Sequence, residues 1–366
     1  MTRGVSIWLD VLRALATLVV VLSHWAYPRF TDSKYIFLRD WNVGSDAVIV
    51  FFVISGCVIA YAADRDAEPG RFAFNRLTRL WSVMLPALVL TLIFDAIGSR
   101  HDPAAYPPMF FQPLPVDEFL LRGLSFSNEW GLFGRLRLGS NGPLWSLSYE
   151  AAYYFLFGVA FFLRGSNRLS VLALGMMVFG LDILLLMPAW LFGVGFWHWL
   201  KSEGPMRVSY AMGVALAVLG PLAYIACQFG GVPEVLSSAT AATLNVDDAR
   251  FVLGFSDEFI WNNMIGVFTV CHLMGVSVIF TGQGARFRLL NWIAGASFSI
   301  YVVHYPTLQL LNTFIPEIPG RDIFLLLGSL AVGLLFASVF ERPIGKIRRK
   351  VKLLWQNSVA ENVKDQ

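Results

Sequence analysis

The dominant pattern in the chain is a series of apolar runs, each about as long as a membrane-crossing helix and separated from the next by a polar segment. A transmembrane helix needs about 20 mainly apolar residues, and the pattern predicts ten such spans. They lie near residues 6–27, 45–63, 80–98, 143–163, 169–187, 188–200, 206–228, 261–281, 289–311 and 322–340. The sixth is the shortest. It is separated from the fifth because one helix through both would exceed the bilayer and contain Pro188.

The first span differs from a simple membrane anchor because it contains an acid, an arginine and a histidine. Asp10 and Arg13 are three residues apart, so an ion pair on one helix face is expected. Arg13 and His24 lie on the same side of the helix, about 16.5 Å apart along its axis. Ionisable groups inside a membrane helix are costly unless partnered, and they usually mark a functional site. The alternative is an arginine that reaches the headgroups and a histidine packed in the core.

The composition supports a polytopic membrane protein. Of the 366 residues, 56% are hydrophobic and 14% are charged, and the mean hydropathy is +0.61, far more apolar than a soluble chain. The net charge of +3 gives no support for a nucleic-acid partner. Neither a disulfide nor a metal site is expected, because the cysteines lie in apolar spans without metal-ligand spacing. They are Cys57, Cys227 and Cys271.

The distribution of basic residues predicts the orientation of the chain. With the N-terminus in the cytoplasm, 18 of the 28 lysine and arginine residues fall in cytoplasmic segments, in agreement with the positive-inside rule. We therefore predict an all-α bundle of about ten transmembrane helices with both termini cytoplasmic. A membrane domain is expected over residues 1–343, followed by a basic cytoplasmic tail over 344–366. The first apolar run is interpreted as a retained helix, because charged residues interrupt it and no cleavage pattern follows.

Two carboxylates lie near the predicted outer ends of helices. Asp46 opens the second span at a depth similar to that of His24, where a carboxylate is expected to orient the imidazole and raise its basicity. An N-cap is the alternative role for Asp46. Glu150 lies about two turns into the fourth span, where it needs a partner or a water-filled cavity. An ion pair with Arg135 or Arg137 is the structural alternative.

A pair of arginines precedes the third span, in a segment interpreted as the first cytoplasmic loop. Arg76 and Arg79 are three residues apart, so they share a face on the same side of the membrane as the inner end of the first helix. Such a pair suits bidentate binding of phosphate, and acyl-CoA is a phosphate-rich cytoplasmic donor. Anchoring to anionic lipid is the alternative.

Six segments together resemble the acyltransferase-3 family of integral-membrane O-acyltransferases, which includes O-antigen and exopolysaccharide O-acetylases. The matching motifs are Asp-x-x-Arg-x10-His, Phe-Phe-x-Ile-Ser-Gly, Arg-x-x-Arg, Trp-Ser-Leu-Ser-x-Glu, Ser-x-Tyr-x-x-His-x-Pro and a final Glu-x-Pro, the last interpreted as a structural terminus. The resemblance implies catalytic roles for His24, Asp46 and Glu150, donor binding by Arg13, Arg76 and Arg79, and substrate contact by Trp145, Tyr301 and His304. For His304, a buried and satisfied core histidine is the alternative. The outer segments 99–142 and 229–260 match none of the motifs.

The resemblance implies a multi-pass enzyme of the bacterial inner membrane. It would move an acyl group, most often acetyl, from cytoplasmic acetyl-CoA to a hydroxyl of a periplasmic or cell-surface glycan, free or lipid-linked. His24 would take the hydroxyl proton or carry the acyl group transiently, and both routes remain open. Membrane lipid is a further expected partner, no metal is expected, and the oligomeric state is unknown. The alternative is a secondary transporter or flippase for an acyl or glycan substrate, which would not consume acyl-CoA and often shows internal repeats.

Overall fold

The computed structural model describes residues 1–280, 292–346, 348 and 349. Within these residues the regular elements are helices, and one isolated β-bridge joins Gln112 to Gly139. Ten long helices form the bundle: α1 Arg3–Trp25, α2 Val43–Asp66, α3 Pro69–His101, α4 Trp145–Phe162, α5 Gly165–Phe179, α6 Leu181–Lys201, α7 Tyr210–Phe229, α8 Phe259–Ile279, α9 Ser297–Phe314 and α10 Arg321–Phe336. A π-helical turn, Ala337–Glu341, continues α10.

Short helices fill the connections between the long ones. They are Pro28–Thr31, Phe37–Asp40, Pro103–Ala105, Val116–Leu124, Gly131–Phe133, Gly142–Leu144, Gly204–Arg207, Val232–Leu244, Arg250–Leu253 and Gly254–Ser256. The start of α1, the start of α3 and the end of α10 lie at one face of the bundle, where Arg79 pairs with Glu341. We call this the inner face, after the predicted orientation, and the opposite one the outer face.

Seven helices are long and apolar enough to cross a membrane in the part of the chain that the structure describes, namely α1, α2, α3, α6, α7, α8 and α10. The other three predicted spans are also helical, as α4, α5 and α9. The helix α5 has only 15 residues. The helices α4 and α9 have 18 residues each and contain polar side chains that face the interior of the bundle. The all-helical membrane fold predicted from the apolar runs is thus confirmed.

The helices α2 and α9 are the most enclosed elements. The helix α2 packs against α1, α6 and α8, and α9 packs against α3, α10 and α1. Contact between α2 and α6 is close because glycines face backbone carbonyls: Gly56 lies against the carbonyl of Trp190, and Gly193 against that of Val53. Small residues allow helix backbones to approach in this way. Because α9 lies inside the bundle, its polar residues His304 and Gln309 are buried in protein and are not exposed to lipid.

The boundary between the fifth and sixth spans differs from the prediction. The predicted spans 169–187 and 188–200 are observed as α5 and α6, which meet at Gly180 rather than at Pro188. Gly180 has a φ of +89°, a conformation that ends a helix and that glycine adopts readily. Pro188 lies within α6. A proline inside a helix weakens it, but the glycine one residue before α6 supplies the real break.

The third helix begins earlier than predicted. The segment interpreted as a cytoplasmic loop is the first part of α3, which starts at Pro69 and has 33 residues. At about 1.5 Å per residue such a helix exceeds the thickness of the hydrocarbon core by several turns. Arg76 and Arg79 therefore lie on a rigid helix, which fixes their positions relative to the rest of the bundle.

Some predicted features lie outside the described residues. They include Arg286 and Arg288, which are two of the basic residues counted as cytoplasmic, the first residues of the span 289–311, and most of the basic tail 344–366.

Candidate active site

A cavity of about 140 Å³ lies between α1, α2, α3, α4 and α9. Its polar lining consists of guanidinium, carboxylate and hydroxyl groups: Arg13, Ser55, Arg76, Arg79, Ser146, Glu150, Tyr154, Ser297 and Tyr301. The structure therefore brings together the three arginines that the sequence assigns to donor binding.

Two of the three guanidinium groups have unused hydrogen-bonding capacity. Arg13 Nη2 donates to the Asp10 carboxylate at 2.6 Å, which confirms the predicted ion pair on α1. Arg79 Nη2 donates to Glu341 at 3.1 Å. The Nε atoms of Arg13 and Arg76 are buried without a hydrogen-bond partner in the described chain. Since buried polar groups are nearly always hydrogen-bonded, these groups suit an anionic ligand, and phosphate oxygens are frequent partners of arginine.

Glu341 orients Arg79 at the inner end of the cavity. One carboxylate oxygen accepts from Arg79, and the other accepts from the backbone N–H of Ser299 at 2.9 Å. Glu341 is only 2% exposed, so its carboxylate is fixed by these contacts. This residue begins the Glu-x-Pro motif, whose sequence alone suggested only the end of a helix.

Glu150 faces the cavity and has hydroxyl partners. Its Oε1 accepts from Ser55 Oγ at 2.5 Å and from Tyr154 Oη at 2.6 Å. The ion pair offered by the sequence as an alternative is wrong, because both candidate arginines lie at the outer face, and Arg135 pairs there with another carboxylate at 3.4 Å. Sequence reasoning missed both hydroxyl partners. The contact with Tyr154 could have been predicted, because Tyr154 follows Glu150 by four residues on the same face of α4.

The two histidines that the sequence assigns to the site, His24 and His304, lie next to each other toward the outer face. Nδ1 of His24 lies 2.9 Å from Nε2 of His304, and Nδ1 of His304 lies 2.6 Å from the carbonyl oxygen of Tyr301. A carbonyl only accepts hydrogen bonds, so we assign the proton of neutral His304 to Nδ1. Its Nε2 then accepts from Nδ1–H of His24. This leaves Nε2 of His24 with a free lone pair, the form that a general base or nucleophile requires.

Asp46 is engaged elsewhere, so its predicted pairing with the imidazole of α1 is wrong. Its Oδ2 accepts from Tyr224 Oη at 2.8 Å and from Gln228 Nε2 at 2.9 Å. Its Oδ1 accepts from Trp261 Nε1 at 3.2 Å. These donors from α7 and α8 satisfy the carboxylate, and the second histidine takes the place beside the first. The alternative N-cap role is not realised either, because an earlier residue, Asn42, occupies that position.

The cavity and the histidine pair are separate in this structure. The Tyr301 hydroxyl donates to the carbonyl of Pro143 at 2.9 Å and lies 2.6 Å from Ser146 Oγ. Its ring packs edge-on against Phe51, with the centroids 5.9 Å apart. Tyr301 therefore borders the cavity with its side chain and holds the second histidine with its carbonyl.

The helix α1 connects the two regions without lining an open route between them. Because α1 is uninterrupted, Arg13 and His24 are about 16.5 Å apart along its axis. Val20 and Val21, which lie between them, are 1% and 0% exposed. Packed aliphatic side chains thus lie between Arg13 and His24, although the sequence places both on the same side of α1.

Trp145 is buried beside the outer segments. Its ring stacks on Phe255 with centroids 4.4 Å apart and contacts Tyr149 edge-on at 5.1 Å. Trp145 is 6% exposed, and it is absent from the lining of the cavity described above. Its contact with the substrate stays a prediction.

Comparisons with known proteins point to one family. A family profile described as an acyltransferase domain matches residues 6–341. The chain is 28% identical over 363 residues to the putative peptidoglycan O-acetyltransferase YrhL of Bacillus subtilis (strain 168), covering 86% of this chain and 50% of that protein. It is 24% identical over 384 residues to the peptidoglycan O-acetyltransferase OatA of Listeria monocytogenes serovar 1/2a, covering 92% and 55%.

A third relative is of viral origin. The chain is 26% identical over 193 residues to the O-acetyl transferase of Shigella phage Sf6, covering 50% of this chain and 57% of that protein. The chain thus spans about half the length of the curated relatives it matches. No solved structure gives a significant match.

Proposed function

Because this chain belongs to the acyltransferase-3 family, we propose that it moves an acetyl group from acetyl-CoA at the inner face to a hydroxyl of a cell-envelope glycan at the outer face. Relatives described as O-acetyltransferases support the acetyl group, and those described as acting on peptidoglycan support a glycan acceptor. In this proposal the protein lies in the bacterial inner membrane with its inner face in the cytoplasm. The positive-inside distribution of basic residues supports this orientation.

The observation that carries the proposal is the chain of hydrogen bonds from the Tyr301 carbonyl through His304 to His24. It fixes the tautomer of His24 and leaves its Nε2 unprotonated. In this scheme His24 is the catalytic base and His304 is a positioning residue. Asp46 takes no part in the relay, because its carboxylate is bonded to three other donors.

The arginine cluster supports a phosphate-bearing donor. In the proposal, Arg13, Arg76 and Arg79 bind the phosphates of acetyl-CoA at the inner end of the cavity, and the acyl arm extends toward Tyr301. Glu150 holds the hydroxyls of Ser55 and Tyr154 on the cavity wall. These three groups would position the arm. Tyr301 lines the cavity and the two histidines do not, so in this proposal the Tyr301 side chain moves aside for the thioester to reach His24.

The proposed transfer needs no component beyond the donor, the acceptor and His24. Nε2 of His24 takes the proton of the acceptor hydroxyl as the oxygen attacks the acyl carbon. The C–O ester bond forms, the C–S bond breaks, and His24 returns the proton to the thiolate of CoA. In the two-step route Nε2 attacks the acyl carbon, so that the C–N bond forms as the C–S bond breaks and CoA leaves as the thiolate. The acceptor hydroxyl then attacks the same carbon, its C–O bond forms as the C–N bond breaks, and its proton passes to the released imidazole.

Replacement of His24 tests the chemistry. In proteoliposomes supplied with labelled acetyl-CoA and a glycan acceptor, His24→Ala should reduce acetyl transfer by about 10²- to 10⁴-fold, the usual contribution of a general base. His198→Ala is the matched control, since this exposed imidazole lies at the inner end of α6. Undiminished transfer by a folded His24→Ala protein would remove His24 from the mechanism. Movement of glycan without consumption of acetyl-CoA would instead support a transporter.

A second experiment tests the donor site. Arg76→Gln and Arg79→Gln should each raise the KM for acetyl-CoA, whereas Arg71→Gln should leave it unchanged. Arg71 is exposed on the same helix and does not line the cavity. If all three variants behave alike, the arginines anchor the helix to anionic lipid and do not bind the donor.

A further inference from the structure

Aromatic rings surround His24 at the outer end of the bundle. The ring of Tyr27 stacks on the imidazole with centroids 6.2 Å apart, and the ring of Tyr305 meets it edge-on at 5.2 Å. Phe110, from the segment between α3 and α4, contacts Tyr27 edge-on at 5.1 Å. This set of rings lies directly beside the proposed catalytic base.

Two arginines lie on these same rings. The guanidinium carbon of Arg29 lies 4.1 Å from the centroid of Phe110, and that of Arg39 lies 4.1 Å from the centroid of Tyr27. Arg29 Nη2 also donates to the Tyr305 hydroxyl at 2.7 Å. Stacking on aromatic faces holds a guanidinium in one orientation while leaving its edge free for hydrogen bonds.

The described chain leaves part of the hydrogen-bonding capacity of the Arg29 guanidinium unused. Its Nε and Nη1 atoms are buried and have no hydrogen-bond partner in the described chain. A buried donor without a partner costs about 1–3 kcal/mol, so such groups are rare unless a ligand completes them. Arg39 uses one nitrogen to donate to Ser23 Oγ at 3.2 Å.

The positive charge in this region is also uncompensated. No carboxylate among residues 1–280 and 292–346 lies within salt-bridge distance of Arg29, Arg39 or the nearby Arg137. Other outer arginines do have such partners, as Arg250 has in Asp257 at 3.7 Å. Burial lowers the pKa of Arg29 and the charge of Arg137 lowers it further, whereas the Tyr305 phenol raises it. An anion bound here would relieve the repulsion between these cations.

We propose that Arg29 and Arg39 form a subsite for an oxyanion that the acceptor carries close to the hydroxyl acylated at His24. The inference rests on the proposed function and narrows its acceptor to an anionic glycan. A carboxylate on the sugar and a phosphate on a lipid carrier present the same chemistry to a guanidinium. The aromatic rings would pack against the apolar face of the sugar, and the guanidinium edge would fix its register relative to Nε2 of His24.

The test compares acceptors that differ only in charge. One arm uses the disaccharide of N-acetylglucosamine and N-acetylmuramic acid, which carries a carboxylate, and its neutral methyl ester. The other arm uses a neutral disaccharide, either free or joined to a polyprenyl diphosphate. The measured quantity is the ratio of kcat/KM for the charged acceptor to that for its neutral partner, in reconstituted full-length protein.

We expect the wild-type protein to prefer the charged acceptor in one of the two arms, which identifies the source of the oxyanion. Arg29→Gln should then lower this preference by roughly 10- to 100-fold, as expected for lost hydrogen bonds to a charged group. Arg39→Gln should lower it as well, so the inference does not depend on the folding of one variant. Arg100→Gln removes the same charge from an exposed position at the outer end of α3 and should leave the preference unchanged.

Three outcomes separate the possibilities. Equal transfer to charged and neutral acceptors by the wild-type protein overturns the subsite and leaves the proposed function intact. The subsite is also overturned if Arg29→Gln lowers transfer equally for the charged acceptor and for its neutral partner. Such a result would assign the arginine a structural role. Absence of transfer to every acceptor by the wild-type protein contradicts the proposed function itself.

Discussion

Replacement of His304 by alanine breaks the proposed chain of hydrogen bonds to His24 at its central residue. His304 is completely buried, and its two ring nitrogens contact the Tyr301 carbonyl and Nδ1 of His24. In His304→Ala the Nδ1–H of His24 loses its acceptor, and the imidazole is free to rotate or to adopt the other tautomer. The residue itself touches no proposed donor atom, so binding of acetyl-CoA should be unaffected.

The size of the effect follows from the single hydrogen bond that is lost. A buried donor left without its partner costs about 1–3 kcal/mol, and every 1.36 kcal/mol in a barrier changes the rate about tenfold. His304→Ala should therefore lower kcat by roughly 5- to 150-fold, with little change in the KM for acetyl-CoA. His304→Gln should recover part of the rate, because its amide oxygen can accept near the position of Nε2.

The assay is steady-state acetyl transfer in proteoliposomes across a range of pH, with thermal unfolding measured in parallel. His101→Ala is the control, since His101 lies at the outer end of α3 and stacks on Phe314. A folded His304→Ala protein that retains the wild-type kcat and pH profile would exclude the relay. A His304→Gln protein that is no more active than His304→Ala would exclude it as well.

Three further predictions concern packing, pH and donor binding. Gly193→Ala should destabilise the protein by about 1–3 kcal/mol, because the added methyl group meets a carbonyl of α2, whereas Gly195→Ala on the same helix has open space. Equal melting temperatures would contradict the close contact of α2 and α6. Glu129 is buried in the segment between α3 and α4. Burial raises its pKa to about 8, against about 4.3 in the unfolded chain, so the free energy of unfolding should fall as pH rises between these two values. Glu129→Gln should flatten that dependence in thermal melts, and an unaltered slope would count against it. Glu341→Gln and Arg79→Gln should each raise the donor KM, and the double variant should be little worse than either single one. Additive effects would show that the two residues act independently.

Local periodicity was sufficient to predict much of the fold. Apolar runs located the helices, and the spacing of three residues predicted the contact of Asp10 with Arg13. The helix break was misplaced because proline is the stronger helix breaker by rule, whereas the conformation of Gly180 decided the boundary. The start of α3 was misjudged because a charged segment is typical of a loop, although this one extends a helix beyond the bilayer.

The partners within the site were harder to predict than the residues themselves. His24 and His304 are 280 positions apart, and periodicity relates only residues within one element. Asp46 was placed beside His24 by depth alone, which does not define the direction around the helix axis. The cluster of Arg29 with its aromatic rings depends on three separate segments, so neither motif nor spacing pointed to it.

In the proposed mechanism, donor and acceptor react from opposite sides of the membrane. Sealed vesicles of known protein orientation separate the two compounds, with labelled acetyl-CoA confined to the side of the inner face and the glycan acceptor on the other. Acetylated glycan should then appear on the acceptor side, and His24→Ala should abolish it. Ester formation only when both compounds are on the same side would rule out transfer across the membrane.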